Sequence, residues 1–300
     1  MGHGDFIHSF NLLAGKHNPV SMSALNENIR KFYDQSSPLW LDMWGEHMHH
    51  GYYGPDGNQK KDHYQAQIDL IEELLSWGAV NQPANILDVG CGVGGSARYL
   101  AVKYQAEVLG LTLSPVQARR AAQYNQKSNL EGQVEVIVQD ILSYEAPEHP
   151  YDLIYSMESA EHIPDKQRLL QLFYQLLKPG GQFVMATWCH RNTADQPLSK
   201  AEKQQLEKIC KVYHLPPMIS IQEYQQLAAS SGFKHISTDD WSAAVAPFWK
   251  AVIASALSWR GIRGLFRAGL GTMQGAWAMR YMQSGFQSGL IRFGLIKGTK

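Results

Sequence analysis

Between Ile86 and Gly95 the chain reads Ile-Leu-Asp-Val-Gly-Cys-Gly-Val-Gly-Gly, and few folds accommodate that order of residues. Ile86–Val89 is a short apolar run holding one acid, which predicts a buried strand. Four glycines occupy the next six positions, and Ser96–Ala101 has the pattern of the first turns of a helix. A strand that feeds a helix through a glycine turn leaves backbone N–H groups unsatisfied at the helix N-terminus. Without Cβ atoms, a ligand can lie directly on that backbone. The turn alone is a weak signal, because dinucleotide sites and turns that bind nothing share it. A dinucleotide site would carry an acid about 20 residues on, at the end of the second strand. Here the second strand, Val108–Leu113, ends without one, and the acid lies inside the first strand as Asp88. That placement favours a ligand with cationic groups over a diphosphate.

The rest of the chain alternates strands and helices. Residues 62–78 are amphipathic, with Ile68, Ile71, Leu74 and Leu75 facing inward. Ser114-Pro115-Val116-Gln117 has Ser at N-cap, Pro at N1 and Gln three on, the pattern of a capping box. Gln117 thus has a structural use as well as a possible ligand role. Strand three is Val134–Val138, strand four Tyr151–Ser156, then a helix over about 165–177 ending in Lys178-Pro179-Gly180-Gly181, and strand five Gln182–Thr187. Two helices within 198–231, parted by Pro216-Pro217, precede strand six, Phe233–Asp240. A Trp-, Met- and Gly-rich stretch over 243–287 has helical periodicity, and Leu290–Ile296 reads as strand seven. This order predicts an α/β fold: a Rossmann-like, seven-stranded, mostly parallel sheet with helices on both faces, a helical N-terminal cap and a helical lid insert before the last strand. Ligands in such sheets sit beyond the carboxyl ends of the strands. Asp88, Thr112, Asp140, Glu158 and His190 fall at or near those ends.

Residues 1–21 lack a long apolar core and carry almost no positive charge, Lys16 alone among Lys and Arg, so they do not read as a signal or transit peptide; a disordered arm is expected. Residues 22–300 are expected to form one domain, with a cap over 22–80, a ligand-binding core over 85–190, and the lid and last strands over 191–300. A 44% hydrophobic content supplies a full core, and 27 Lys+Arg balance 27 Asp+Glu. No basic excess argues for nucleic acid, and no run of about 18 apolar residues argues for a spanning helix. The odd count of three cysteines fits a reducing compartment, so a cytoplasmic protein is expected. After Asp240 the only formal charges are Lys and Arg. The lid would then carry a basic face, suited to peripheral contact with an anionic thylakoid or plasma membrane or to plain solvation. His47, His49 and His50 fall within four positions. No carboxylate or Cys stands at ligand spacing, so no metal is expected. An aromatic-rimmed loop closing over a small-molecule pocket fits Trp44–Pro55 better.

S-adenosylmethionine carries an amino group and a sulfonium, and the turn with Asp88 resembles its site in Rossmann-like methyltransferases. More specifically, the chain resembles gamma-tocopherol methyltransferases. The resemblance rests on Phe32-Tyr33-Asp34 with Ser36-Ser37 and Leu39-Trp40, on Trp44 to Tyr52, and on Asp88–Gly95. It continues in Leu113–Gln117, Ser156–Ser159, Glu161-His162, Thr187–Arg191, and Asp240–Ser242 with Ala246–Trp249. These pieces run from about residue 30 to the C-terminus, and the His-His loop and Thr-Trp-Cys-His-Arg are the most distinctive. Ala160 stands where the family leads one to expect Gly. The absence of a transit peptide suggests a bacterial member.

The resemblance implies S-adenosyl-L-methionine as cofactor. Gly90, Cys91, Gly92 and Gly94 would cradle its amino-acid end with Asp88, and Thr112, Leu113 and Gln117 would hold the ribose, as in cyclopropane fatty acid synthases. Asp140 would accept from the adenine amino group with Ile141 and Met157 flanking the ring, and Tyr33 and His49 would close over the methionyl end. The implied reaction is C-methylation of gamma-tocopherol, or a related prenylated phenol, to alpha-tocopherol. N- or O-methylation of another small molecule, such as an indole alkaloid or amine, is the alternative, and a non-catalytic binder of the donor a third. Ionising the phenol makes the neighbouring ring carbon nucleophilic, so a base of near-neutral pKa would help. His50, Glu158, His162 and His190 are the candidates, unranked. The partner is a small hydrophobic substrate, whose prenyl tail an apolar channel lined by Trp241, Phe248 and Trp249 could take. No protein partner is implied.

Overall fold

In the computed structural model the described residues are 24–31, 34, 41, 45–145, 150–249 and 280–300. The expected arm over 1–21, Tyr33 and most of the lid with its basic face lie outside them. Helix α1 covers 24–31. Then follow α2 (His63–Gly78), β1 (Asn85–Val89), α3 (Gly95–Tyr104), β2 (Glu107–Thr112), α4 (Pro115–Lys127), β3 (Val134–Val138), β4 (Tyr151–Met157), α5 (Lys166–Leu176), β5 (Leu177–His190), α6 (Lys200–Val212), α7 (Ile221–Ser230), β6 (Lys234–Asp240), α8 (Ser242–Val245) and β7 (Ile291–Thr299). Residues 280–287 are helical and lead into β7.

The seven strands form one sheet in the order β3-β2-β1-β4-β5-β7-β6. β7 runs antiparallel between β5 and β6, and the β1, β2, β3, β4 and β5 pairings are parallel. Because side chains alternate across a strand, β1 feeds two cores. Ile86 packs with Leu70, Leu74 and Leu100 on one face, and Leu87 and Val89 pack with Leu169 and Phe173 on the other. Each fully buried Leu or Ile of α2 contributes roughly 1.5–3 kcal/mol. Of the expected inward set, Ile71, Leu74 and Leu75 are buried and Ile68 is only half-buried. Asp62 caps α2, its carboxylate accepting from the Tyr64 and Gln65 amides.

β5 is longer than its expected span. Leu177 already pairs with Tyr151 before the register shifts to Leu153 with Gln182. The Lys300 backbone closes on Gly180 and Gly181, at 3.0 and 2.9 Å, so the glycines stay within β5 at one end of the sheet. At the other end β7 carries the strand on, pairing Ile291 with His190. The capping box at α4 forms only in part: Ser114 accepts from the Gln117 amide, while the Gln117 side-chain oxygen accepts from the Thr112 hydroxyl at 2.7 Å.

Candidate active site

The strand ends β1 to β4 converge on one cavity. It is lined by Asp88 to Gly92, by Thr112, Leu113 and Gln117, by Asp140 and Ile141, and by Met157, Glu158 and His162, with His47, Met48 and His49 across from them. The turn is seated by the Gly90 and Cys91 amides, which both donate to Leu111 O at 3.0 Å. Gly90 has φ 81°, and a Cβ there would collide with Ser159. Ser159 in turn donates to Val89 O at 2.6 Å, so the turn and the end of β4 hold each other. Gly92 has φ 57° and nothing within 4 Å of where a Cβ would stand. Its bare backbone faces the cavity.

Asp88, on β1, brings a buried carboxyl to this cavity. It is 2% exposed, its Oδ2 has no hydrogen-bond partner among the described residues, and burial pushes its carboxyl up to about 7. A buried carboxylate oxygen without a partner is costly, and a bound ammonium or hydroxyl would relieve that cost. The residues present therefore fit a donor with a cationic amino-acid end. Cys91 lies in the same turn, its thiol held well above its usual range by burial, which suits a packing role over a reactive one. Asp140 has both oxygens engaged: Oδ1 accepts from the Leu142 amide at 2.9 Å, and Oδ2 from the Asn26 side chain at 2.7 Å. Gly94 does not line the cavity; at φ 77° it is the N-cap of α3, facing Arg98 and Val136.

The histidine loop is fastened over the cavity from two sides. Gln67, fully buried on α2, donates to the carbonyls of His47 and His49. Arg98 on α3 donates to Glu46, at 2.5 Å from Nη2. Gly95 allows this approach, since a Cβ there would stand 2.5 Å from Glu46 O. Burial pushes the His47 imidazole down to about 3 and lowers that of His49 as well.

The four base candidates separate geometrically. Glu158 follows β4 directly and has φ 50°, a left-handed conformation that costs a non-glycine residue roughly 1–2 kcal/mol. Its amide donates to Ala186 O at 2.8 Å. Its Oε1 accepts from the His50 amide at 2.7 Å. Its Oε2 lies 2.7 Å from His50 Nδ1 and 3.1 Å from Trp188 Nε1. Burial pushes this carboxyl up, but its contacts with His50 and the nearby His49 together leave it below the usual carboxylate range. His50 is 1% exposed, with Phe248 4.3 Å and Trp249 5.1 Å from its ring centre. His162 lines the cavity and is pushed down to about 3 by burial. His190 ends β5 but points away, its Nδ1 2.7 Å from Arg191 O and its Nε2 3.7 Å from Glu223. Of the expected channel residues, Phe248 and Trp249 pack around His50, whereas Trp241 packs on Tyr52 at 5.2 Å.

Reasoning from sequence gave Trp188 and Ser159 no role beyond the resemblance and passed over Gln67 and Arg98. Trp188 sits two residues from the end of β5, and the rule that sites gather at strand ends could have found it. Gln67 and Arg98 lie within helical patterns that carry no such signal.

Residues 86–181 match the family model described as a methyltransferase domain. A chloroplastic tocopherol O-methyltransferase from Arabidopsis thaliana is 42% identical over 292 residues, covering 94% of this chain and 84% of its own. A 2-methyl-6-phytyl-1,4-hydroquinone methyltransferase from Synechocystis is 29% identical over 92% of this chain and 88% of its own. Among solved structures, a cyclopropane synthase from Mycobacterium tuberculosis shares the fold with a TM-score of 0.78 at 18% identity, over 92% of this chain and 98% of its own. From the identity to the Arabidopsis enzyme along nearly the whole length, the chain belongs to the tocopherol O-methyltransferase family, within the class I S-adenosylmethionine-dependent methyltransferases.

Proposed function

We propose that the protein methylates a ring carbon of a prenylated phenol, chiefly gamma-tocopherol to alpha-tocopherol, with S-adenosyl-L-methionine as donor. The donor supplies an electrophilic methyl group on a sulfonium. In this reading Asp88 and the Gly90–Gly92 backbone hold its amino-acid end, Thr112 and Gln117 its ribose, and Asp140, Ile141 and Met157 its adenine. The chain's own work is then to align the acceptor carbon with the methyl group and to exclude water.

The observation that carries the reading is the place of the Glu158–His50 pair. Glu158 lines the donor cavity, and its partner His50 lies among Trp188, Phe248, Trp249, Phe286 and Phe293. A polar pair between a donor cavity and an aromatic wall suits an acceptor with one hydroxyl on a large apolar body. The 42% identity to a tocopherol methyltransferase supports the same acceptor.

The test is incubation of the purified protein with methyl-labelled donor and gamma-tocopherol in detergent micelles, beside a panel of indole alkaloids and amines. Label in alpha-tocopherol is expected. Label only in amines overturns the acceptor and keeps the methyl transfer; donor binding with no labelled product from any acceptor overturns both.

A further inference from the structure

Two buried polar atoms beside the Glu158–His50 pair have no partner among the described residues: His50 Nε2 and Trp249 Nε1. Their rings are 5.1 Å apart, centre to centre, at 68°. Trp249 is itself 5% exposed and packs on Trp188 and Phe286, at 6.1 and 6.2 Å. Neither atom can turn to water, and an unmet buried polar atom is destabilising unless something that binds there satisfies it.

The two atoms differ in kind. Indole Nε1–H can only donate. The Glu158 carboxylate accepts from His50 Nδ1, from the His50 amide and from Trp188, so the neutral imidazole carries its proton on Nδ1 and its lone pair on Nε2. One orphan donor and one orphan acceptor, close together and walled by aromatic rings, match a single hydroxyl, which donates once and accepts at the same oxygen. We propose that His50 and Trp249 form the acceptor-hydroxyl site, His50 Nε2 taking the phenolic proton and Trp249 Nε1–H holding the oxygen. This rests on the reading of the acceptor as a phenol.

The other candidates are less suited. Glu158 has both oxygens taken by His50 and Trp188 and acts as a positioning residue that sets the His50 tautomer. His162 is pushed down to about 3, too weak a base for a phenol near neutral pH. His190 has its Nδ1 against the Arg191 carbonyl and its Nε2 3.7 Å from Glu223, so it leaves no nitrogen for an acceptor. The step balances as follows. The phenol O–H bond breaks and its proton passes to His50 Nε2, giving an imidazolium paired with Glu158. The electron pair this releases into the ring forms the new carbon–methyl bond at the ortho carbon, while the pair of the broken S–C bond stays on sulfur. The proton on that carbon then leaves to solvent, the ring regains aromaticity, and the oxygen recovers its proton from His50. One proton is released per turnover.

The test uses His50→Asn, whose amide can still donate to Glu158 from the place of Nδ1 but has nothing at Nε2, and Trp249→Phe, which keeps the ring and loses the N–H. Both are expected to bind the donor as the wild type does, by calorimetry. On gamma-tocopherol, His50→Asn is expected to lower kcat by about 100-fold or more, and Trp249→Phe by roughly tenfold with KM little changed. On a ring-fluorinated analogue whose phenol is already ionised at the assay pH, the His50→Asn loss should shrink to less than about tenfold. An equal loss on both acceptors, or none on gamma-tocopherol, overturns the proposal. A measurement without variants guards against misfolding: a nitrophenol probe bound to the wild type should show phenolate absorbance at a pH where it is protonated in solution, and a bound probe that stays neutral overturns the proposal. If the wild type methylates amines and no phenol, the reading of the acceptor falls, which is a different result from either of these.

Discussion

Arg98 Nη2 lies 2.5 Å and Nε 3.2 Å from the same carboxylate oxygen of Glu46, across 52 positions of chain. The same guanidinium donates through Nη1 to Val93 O at 2.9 Å and to Asn125 Oδ1 at 3.0 Å. One buried cation thereby joins the glycine turn, α3, α4 and the histidine loop. The partners are not equivalent, because the Arg98 side chain is 7% exposed and that of Glu46 44%. Removing Glu46 leaves a cation still bonded to Val93 and Asn125. Removing Arg98 strands two buried acceptors. Glu46→Gln is therefore expected to cost less than about 1 kcal/mol and Arg98→Met roughly 2–4 kcal/mol, measured by urea denaturation. Equal costs would mean that the exposed ion pair, and not the buried acceptors, dominates.

Asp88 couples stability to pH. Its carboxyl sits at about 7 in the fold against 3.8 ordinarily. Between those values the native state keeps a proton that the unfolded chain has released, so this group's contribution to stability declines as pH rises from about 4 to about 7 and is level above. Asp88→Asn removes the buried charge. The melting temperature of the variant relative to wild type should rise across that window and stay raised above it, read by paired thermal scans. Donor affinity should move the other way: in the wild type it tightens as pH rises toward 7, and in Asp88→Asn it is weak and flat with pH. A variant that binds the donor as tightly as the wild type at pH 8 would contradict the assignment of Asp88.

Two glycines of the turn should fail differently. At Gly90 a Cβ meets Ser159 as well as a positive φ, so Gly90→Ala is expected to disrupt the turn and lower stability by more than about 2 kcal/mol. At Gly92 the space is open, and the left-handed backbone alone costs about 1–2 kcal/mol for Ala. The Gly92→Ala protein should fold and yet lose at least about tenfold in donor affinity, because its methyl group stands where a ligand would lie on the backbone. Calorimetry on the folded variant decides this, and unchanged affinity would place the donor elsewhere.

Acid should weaken the fold around His47 and His162. Burial holds both His47 and His162 near 3 against an ordinary 6.5. Below 6.5 the unfolded chain takes up protons that these imidazoles refuse in the fold, so their contribution to stability is complete above 6.5 and is lost as pH falls toward 3. Replacing His162 by Gln should flatten that part of the stability profile. Denaturation midpoints at pH 7.5 and 5 check it: the variant should lose less than the wild type between the two.

Much of the sheet was legible because its signals are local. The alternation that buries Ile86 on one face and Leu87 on the other, the Ser114 cap on Gln117 and the glycine turn after β1 all depend on neighbours within a few positions. Where the signals conflicted, packing decided. Lys178-Pro179-Gly180-Gly181 reads as a stop, yet pairing with Tyr151 and closure by Lys300 keep it in β5. Gln117 fits a capping box, yet its side chain turns to Thr112.

The chain alone determined the fold class and pointed to the half of the candidate site built from the turn and the strand ends, since backbone freedom at glycine and period-two burial are written in adjacent residues. It named His50 and Glu158 as candidates without joining them. That they meet, 108 positions apart, and that Trp249 lies beside them while His190 turns away, followed only from tertiary packing. Which buried polar groups find partners, and which are left for a ligand, depends on chain segments brought together from far apart, and no local pattern encodes it.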